Sequence, residues 1–183
     1  MVAIGPSTGL GAHAGWKAGG TNAAAQKTLG LSGPFRGPLF QSGMVSSPAA
    51  LSKSKYNLNL LEPEFGFKLK RDLPIKCTVE QAWAAVEELT LVIEACGSRC
   101  NLGESTALSP LPLISSYKYE KSLCGAADVP AGGSTFQRVA DGGIGSHVVL
   151  GPTMNAAAAK AANLSDVKIE LSVNGEVSAL RIV

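Results

Sequence analysis

Apolar and polar residues alternate most regularly over residues 57–70, and this pattern predicts a strand. Successive side chains of a strand point to opposite faces, so Glu62, Glu64 and Lys68 share one face. The other face is apolar and comprises Leu61, Phe65, Phe67 and Leu69. Pro63 lies within the run and indicates an edge strand, because proline cannot donate to the hydrogen-bond ladder of a sheet.

A helix and a second strand are predicted next. Thr78 and Gln81 have the spacing of a capping box, which predicts the start of a helix. The apolar residues at helical spacing, expected to form its buried face, are Val79, Ala82, Trp83 and Val86. Residues 91–96 are apolar except for Glu94, and this run predicts a buried strand.

Three shorter elements are predicted from caps and turns. Thr21 or Asn22 can cap a helix that ends at Gly30, and the alanine-rich residues 156–162 favour another helix. Residues 167–182 predict a hairpin, because they alternate around an Asn-Gly pair that favours a tight turn. The elements together predict an α+β protein in which β structure predominates.

The domain organisation follows from the composition along the chain. Residues 1–14 are rich in glycine and alanine and are expected to be loose, and a loop is expected over 15–21. Residues 101–138, rich in Gly, Pro and Ser, predict a long loop or an insertion. We therefore expect one domain over residues 15–183.

Three glutamates are the candidate chemistry. Glu62 and Glu64 can offer two carboxylates to one point, and Glu94 lies in an apolar run where a carboxylate needs a partner or a cation. Three converging carboxylates make an oxygen-only site that suits Mg²⁺ or Mn²⁺. The alternatives are a solvated strand face for the pair and an Arg or Lys partner for Glu94.

Composition and charge exclude some classes of function. The net charge is +2 and basic residues do not cluster with aromatic ones, so nucleic acid is not an expected partner. No apolar run reaches the ~18 residues that a membrane span needs. The four cysteines form no C-x-x-C pair and fit no standard zinc spacing with His13 or His147, so a reduced, cytoplasmic protein is expected. The acid-poor first 61 residues leave organellar targeting as an alternative.

Four stretches carry a resemblance to a known family. Glu62-x-Glu64 is followed by Arg-Asp-Leu-Pro at 71–74, and residues 93–99 place Glu94 before a Gly-Ser-Arg turn. Residues 15–21 are similar to a G-x-K-x-G-x-T segment, and residues 139–141 to a V-A-D-N strand. The chain thereby resembles the fumarylacetoacetate hydrolase superfamily, in the branch of 2-hydroxypenta-2,4-dienoate hydratases and 4-oxalocrotonate decarboxylases.

The resemblance implies a fold, a cation site and a reaction. It implies a mixed β-sandwich roll in which Glu62, Glu64 and Glu94 bind Mg²⁺ or Mn²⁺. It also implies catalytic roles for Lys17 and Asp141, although Asp141 is equally interpreted as a turn residue. The implied activity is a hydratase, a lyase that acts on small 2-oxo or enol acids, with a decarboxylase as the alternative. The His/Glu pair of the hydrolytic members finds no match.

The chain also departs from the family pattern. Gly142 stands where the family has Asn, residues 101–138 exceed the usual connection, and the match ends at Val183 before the family's last strands. A truncated relative that binds a cation without turnover is therefore an alternative, and a non-enzymatic scaffold is a third. The strand edges expected of such a chain favour a homo-oligomer.

Overall fold

The computed structural model describes residues 11–97, residue 143 and residues 145–182. The predicted loop or insertion at 101–138 and the candidate residue Asp141 lie outside the described residues, as do residues 1–10. The described strands are β1 (His13–Gly19), β2 (Phe35–Phe40), β3 (Met44–Ser46), β4 (Leu58–Leu69), β5 (Val86–Gly97), β6 (Gly145–Asn155), β7 (Lys168–Val173) and β8 (Glu176–Ile182). The α-helices are α1 (Ala23–Leu29), α2 (Lys53–Tyr56), α3 (Val79–Ala85) and α4 (Ala156–Ala161). Short 3₁₀ turns cover Gln41–Gly43 and Leu164–Asp166.

A four-stranded mixed sheet with the order β3-β6-β5-β4 forms the centre of the fold. β3 and β6 are parallel, and the other neighbouring pairs are antiparallel. Two further antiparallel pairs, β1 with β2 and β7 with β8, complete the described strands. The predicted α+β class with predominant β structure is confirmed.

The core lies along β5, a central strand of this sheet that carries most of the buried apolar residues. Leu89 and Cys96 are the largest fully buried side chains. The other buried apolar residues are Leu58, Ala85, Val86, Val92, Ala95 and Ala159. β4 is an edge strand of the described sheet, as the proline within it predicted.

The caps and turns form where the local sequence predicts them. The Asn22 side chain accepts a hydrogen bond from the Ala25 amide, and Gly30 ends α1 in the left-handed region at φ 64°. Both hydrogen bonds of the α3 capping box are present. Asn174 and Gly175 have φ of 54° and 85°, which is the backbone of a tight hairpin turn between β7 and β8.

The predicted buried face of α3 is wrong at both ends. The helix has seven residues and ends at Ala85, so Val86 belongs to β5. Val79 is 68% exposed, because it lies in the first turn at the open end of the helix. The apolar residues at helical spacing therefore belong to two elements, the helix and the strand that follows it.

The predicted loop over residues 15–21 is also wrong, because most of it belongs to β1. β1 begins at His13 and pairs along its length with β2. Glycine and alanine have low strand propensity, so only the pairing with β2 makes this segment extended. Lys17 consequently projects from a strand, opposite Gly37.

None of the described helices is long and apolar enough to cross a membrane.

Candidate functional site

Two of the three candidate glutamates face each other across neighbouring strands. Glu62 on β4 lies opposite Glu94 on β5 in the antiparallel register. Directly opposed residues of an antiparallel pair project to the same face of the sheet with their Cβ atoms close together. Glu62 is half-buried and Glu94 is only 7% exposed. Two carboxylates therefore meet at a largely buried point.

Cys96 completes this cluster. It lies two residues beyond Glu94 on β5 and is fully buried. Its thiol donates a hydrogen bond to Oε2 of Glu62 over 3.4 Å. Burial, together with the nearby Glu62 and Glu94 carboxylates, raises the pKa of the Cys96 thiol well above its usual range. The ligand atoms of Glu62, Glu94 and Cys96 all lie within 4.8 Å of one another.

Glu64 occupies a different environment on the same strand. It lies opposite Val92 in the register, one step of the strand face away from Glu62, and it is exposed. Among the described residues, the group of side chains close enough to share a metal ion contains Glu62, Glu94 and Cys96 and does not contain Glu64.

Lys17 reaches the same point from the two-stranded sheet of β1 and β2. Its Nζ forms an ion pair with Oε1 of Glu94 and donates a hydrogen bond to the Gly143 carbonyl oxygen over 3.0 Å. The two side chains are 12% and 9% exposed, respectively. The structure thus brings Lys17, Glu62 and Glu94 together from three strands, β1, β4 and β5.

Two glycines make room for this ion pair. A Cβ at Gly145 would lie 2.9 Å from Oε1 of Glu94 and 3.4 Å from Cδ of Lys17. A Cβ at Gly143 would lie 3.2 Å from Cε of Lys17, and this glycine has a φ of +78°. The backbone at Gly143 and at Gly145 therefore approaches the site more closely than a residue with a side chain would allow.

His147 is a core residue outside the carboxylate cluster. It is 8% exposed, and its ring lies 4.1 Å from the Tyr56 ring between centroids. Burial, and then the nearby Lys55 ammonium, lowers the pKa of His147. His13 lies on β1 with its ring 4.7 Å from the Trp16 ring. Among the described residues, neither histidine belongs to the metal-ligating group.

Cys96 is the residue of this cluster that the sequence analysis did not single out. Cysteine spacing did not reveal it, because the four cysteines fit no standard zinc motif. The available indication was strand parity, because residues 94 and 96 of one strand share a face. A potential ligand two residues from Glu94 on this strand is therefore a candidate for the same site.

The donor set suits a divalent cation. Two carboxylates lie on adjacent strands within reach of one ion, and burial makes uncompensated negative charge costly there. Carboxylates bind hard and borderline divalent ions, and a thiolate adds preference for the borderline ones. Lys17 supplies one positive charge to the same cluster. The arrangement can thus hold a cation and, beside it, a small anion.

Known proteins were compared with this chain at three levels. No protein-family profile matches the sequence. No curated protein matches it either. Among solved structures, 14 chains match. One is 4-oxalocrotonate decarboxylase from Pseudomonas putida G7 complexed with magnesium and adipate, with a TM-score of 0.71 and 19% identity over 96% of this chain. This chain has the fold of part of 4-oxalocrotonate decarboxylase.

A second structure of the Pseudomonas putida G7 decarboxylase, complexed with calcium and acetate, matches with a TM-score of 0.70 and 18% identity. The chain spans about half the length of these decarboxylase chains, 56% of one and 55% of the other. The α+β fold with predominant β structure that the sequence predicts is thus shared with these decarboxylase chains.

Proposed function

We propose that this chain forms the cation-binding part of a lyase that acts on small 2-oxo or enol acids. The observation that carries the proposal is the meeting of Glu62, Glu94 and Lys17 at one largely buried point. The fold likeness supports it, because both decarboxylase structures contain a divalent cation and a small carboxylate. Membership of the fumarylacetoacetate hydrolase superfamily is part of the same proposal.

Glu62 and Glu94 are the proposed protein ligands of the cation, with Glu64 as the third ligand that the family resemblance implies. The bound cation, Mg²⁺ or Mn²⁺, supplies electrostatic stabilisation of the negative charge that develops when a 2-oxo acid becomes an enolate. The backbone register between β4 and β5 positions Glu62 and Glu94 before any cation binds. Such preorganisation reduces the cost of assembling the site.

Lys17 is the proposed substrate-binding residue. Its ammonium group is held by Glu94 and by the Gly143 carbonyl, so its position is defined by two partners from different elements. An ammonium group at the edge of the carboxylate pair attracts the carboxylate of a 2-oxo acid and orients it toward Glu62 and Glu94. The same amine is also the proposed proton donor of the reaction. Asp141 remains a predicted catalytic residue.

Hydration of 2-hydroxypenta-2,4-dienoate is the proposed reaction, and decarboxylation is the second candidate. The fold likeness to a decarboxylase favours the second candidate. Both reactions develop enolate character beside the 2-oxo carboxylate, so the same residues serve either one. They differ in the product, because hydration consumes the dienol whereas decarboxylation releases CO₂.

The purified 183-residue chain, freed of metal by a chelator, is expected to bind one Mg²⁺ or Mn²⁺. Cation-dependent loss of dienol absorbance with 2-hydroxypenta-2,4-dienoate would establish the hydratase, and CO₂ release from 4-oxalocrotonate would establish the decarboxylase. Chelation should abolish either activity, and added cation should restore it. Absence of cation binding in calorimetry would overturn the proposal.

Gly145→Ala is expected to weaken cation binding about 10-fold or more while the fold is kept. The added Cβ meets the far ends of the Glu94 and Lys17 side chains, which can rotate away, so the displacement is confined to the site. Gly33→Ala is the matched control, since nothing lies within 4 Å of its added Cβ. Calorimetric titration with Mn²⁺ and thermal unfolding measure the two effects. Unchanged Mn²⁺ affinity in Gly145→Ala would contradict the placement of Glu94 at the cation.

A further inference from the structure

The third potential ligand atom, beside the carboxylate oxygens of Glu62 and Glu94, is the sulfur of Cys96. We propose that Cys96 coordinates the cation held by these two glutamates, so that the site selects a borderline ion such as Zn²⁺ or Co²⁺ over Mg²⁺. The inference rests on the proposed cation site and specifies its ligand set. It differs from the oxygen-only site that the sequence predicts, because a thiolate takes the place assigned to Glu64.

The distances support a shared ion. Bond lengths of about 2.3 Å for Zn–S and 2.0–2.2 Å for Zn–O, at a tetrahedral angle, separate sulfur from oxygen by about 3.6 Å. Sγ of Cys96 and Oε2 of Glu62 are 3.4 Å apart. This separation already matches one edge of a tetrahedral site. A modest rotation of the Glu94 side chain then brings the third ligand atom, now within 4.8 Å of the others, to the ion.

The strand register holds the three side chains together. Leu60 lies opposite Cys96 and Glu62 lies opposite Glu94, so alternate rungs of the β4–β5 ladder carry the ligands on one face. Cys96 is fully buried and cannot turn toward solvent. Glu64 lies opposite Val92 on the next rung of the same face beyond Glu62, and it is exposed. The thiol is therefore better placed than Glu64 to complete the ligand set.

The charges of the cluster balance when sulfur coordinates the cation. Coordination replaces the proton that the thiol donates to Glu62, and this proton leaves to solvent. Two carboxylates and one thiolate then balance a divalent cation and the Lys17 ammonium, so the buried cluster has no net charge. With three oxygen ligands from glutamates the sum is the same, but one of those carboxylates would have to come from the exposed Glu64.

Ligand type decides which cation such a site prefers. Carboxylates and water suit Mg²⁺, whereas a thiolate favours Zn²⁺ and Co²⁺. The two decarboxylase structures contain magnesium and calcium, both hard ions. We therefore expect this chain to bind Zn²⁺ and Co²⁺ more tightly than Mg²⁺ by a margin that depends on the sulfur of Cys96.

Cobalt spectroscopy tests the ligand set without any assay of activity. The metal-free chain is titrated with Co²⁺, and thiolate coordination is expected to produce the near-ultraviolet charge-transfer band of a sulfur-bound cobalt ion. A variant with Cys77, Cys100 and Cys124 replaced by serine keeps Cys96 as its one cysteine and should retain the band. Cys96→Ser should lose the band and lower the Zn²⁺-over-Mg²⁺ preference at least about 10-fold.

The outcomes separate this inference from the proposed function. If the chain binds Mg²⁺ or Mn²⁺ but Co²⁺ gives no sulfur band, the cation site stands and sulfur coordination is wrong. If the chain binds neither Co²⁺ nor Mg²⁺, the proposed cation site and the sulfur coordination are both wrong. Should Cys96→Ser not fold, zinc-edge X-ray absorption of the variant that retains Cys96 alone decides. One sulfur at about 2.3 Å supports the inference, and a shell of oxygen alone overturns it.

Discussion

Glu94→Gln is expected to weaken divalent-cation binding by about 100-fold or more, because Glu94 is itself a proposed ligand. Losing a group that only supports a metal ligand already costs up to about 100-fold in affinity. Glutamine keeps the shape of the side chain and still accepts a hydrogen bond from Lys17, but it carries no charge to hold a cation. Glu94 is 7% exposed and faces Glu62, so a water molecule has little access to the position that the lost carboxylate would leave. Calorimetric titration of the metal-free chain with Mn²⁺ and Co²⁺ measures the loss.

Glu64→Gln is the matched control for this change. It removes the same charge from the same strand, but at an exposed position outside the cluster of Glu62, Glu94 and Cys96. A small effect on affinity is expected if sulfur coordination is correct. A loss as large as that of Glu94→Gln would instead support the three-glutamate site implied by the family resemblance. Unaltered affinity in Glu94→Gln would contradict the cation site itself.

Lys17→Met is expected to lower the free energy of unfolding of the metal-free chain by about 3–5 kcal/mol, the usual cost of removing one partner of a buried ion pair. Methionine fills much of the space of the lysine stem but leaves the Glu94 carboxylate buried without its cationic partner. In a protein of this size, each kcal/mol shifts the melting temperature by roughly 2–4 °C. Urea unfolding followed by circular dichroism measures the difference.

The cation offers a second test of the same variant. Because Lys17 and a cation both compensate Glu94, added Zn²⁺ or Mn²⁺ should recover more stability in Lys17→Met than in the unmodified chain. Lys68→Met is the control, since Lys68 pairs with Glu87 and Glu88 at 3.3 Å and 3.7 Å on an exposed surface. Exposed pairs contribute little, so its unfolding should be nearly unchanged. Equal effects of the two lysine substitutions would contradict the buried ion pair.

A double-mutant cycle separates the ion pair from other effects at the site. Combining Lys17→Met with Glu94→Gln removes both charges together, so neither is left buried alone. The double variant is therefore expected to be more stable than the sum of the single losses predicts. Strict additivity would mean that the two side chains do not interact in solution.

Local sequence predicted the elements that local interactions stabilise. The α1 cap at Asn22, the capping box of α3 and the tight turn at Asn174-Gly175 each depend on hydrogen bonds or backbone preferences within a few residues. β4 was also predicted, because its apolar and polar residues alternate with period two. The buried position of Glu94 was predicted because it lies in an apolar run. None of these features needs a distant contact for its recognition.

Long-range pairing decided the features that the sequence pattern misassigned. β1 has little intrinsic strand propensity, and it is extended because β2 supplies its hydrogen bonds. The boundary between α3 and β5 falls at Ala85, where strand pairing of Val86 with Leu69 takes over from the helical pattern. Helical spacing alone could not locate that boundary.

For the candidate site, the sequence by itself determined the types of chemistry available: carboxylates at 62, 64 and 94, a lysine at 17 and a thiol at 96. Only the tertiary structure decided which of them meet. The β4–β5 register set Glu62 opposite Glu94, and it left Glu64 on an exposed rung beside Val92. The approach of β1 brought Lys17 across 77 residues of sequence to Glu94. Strand register and packing between sheets depend on contacts between segments far apart in the chain, so the residue pattern of a single strand does not identify its partner.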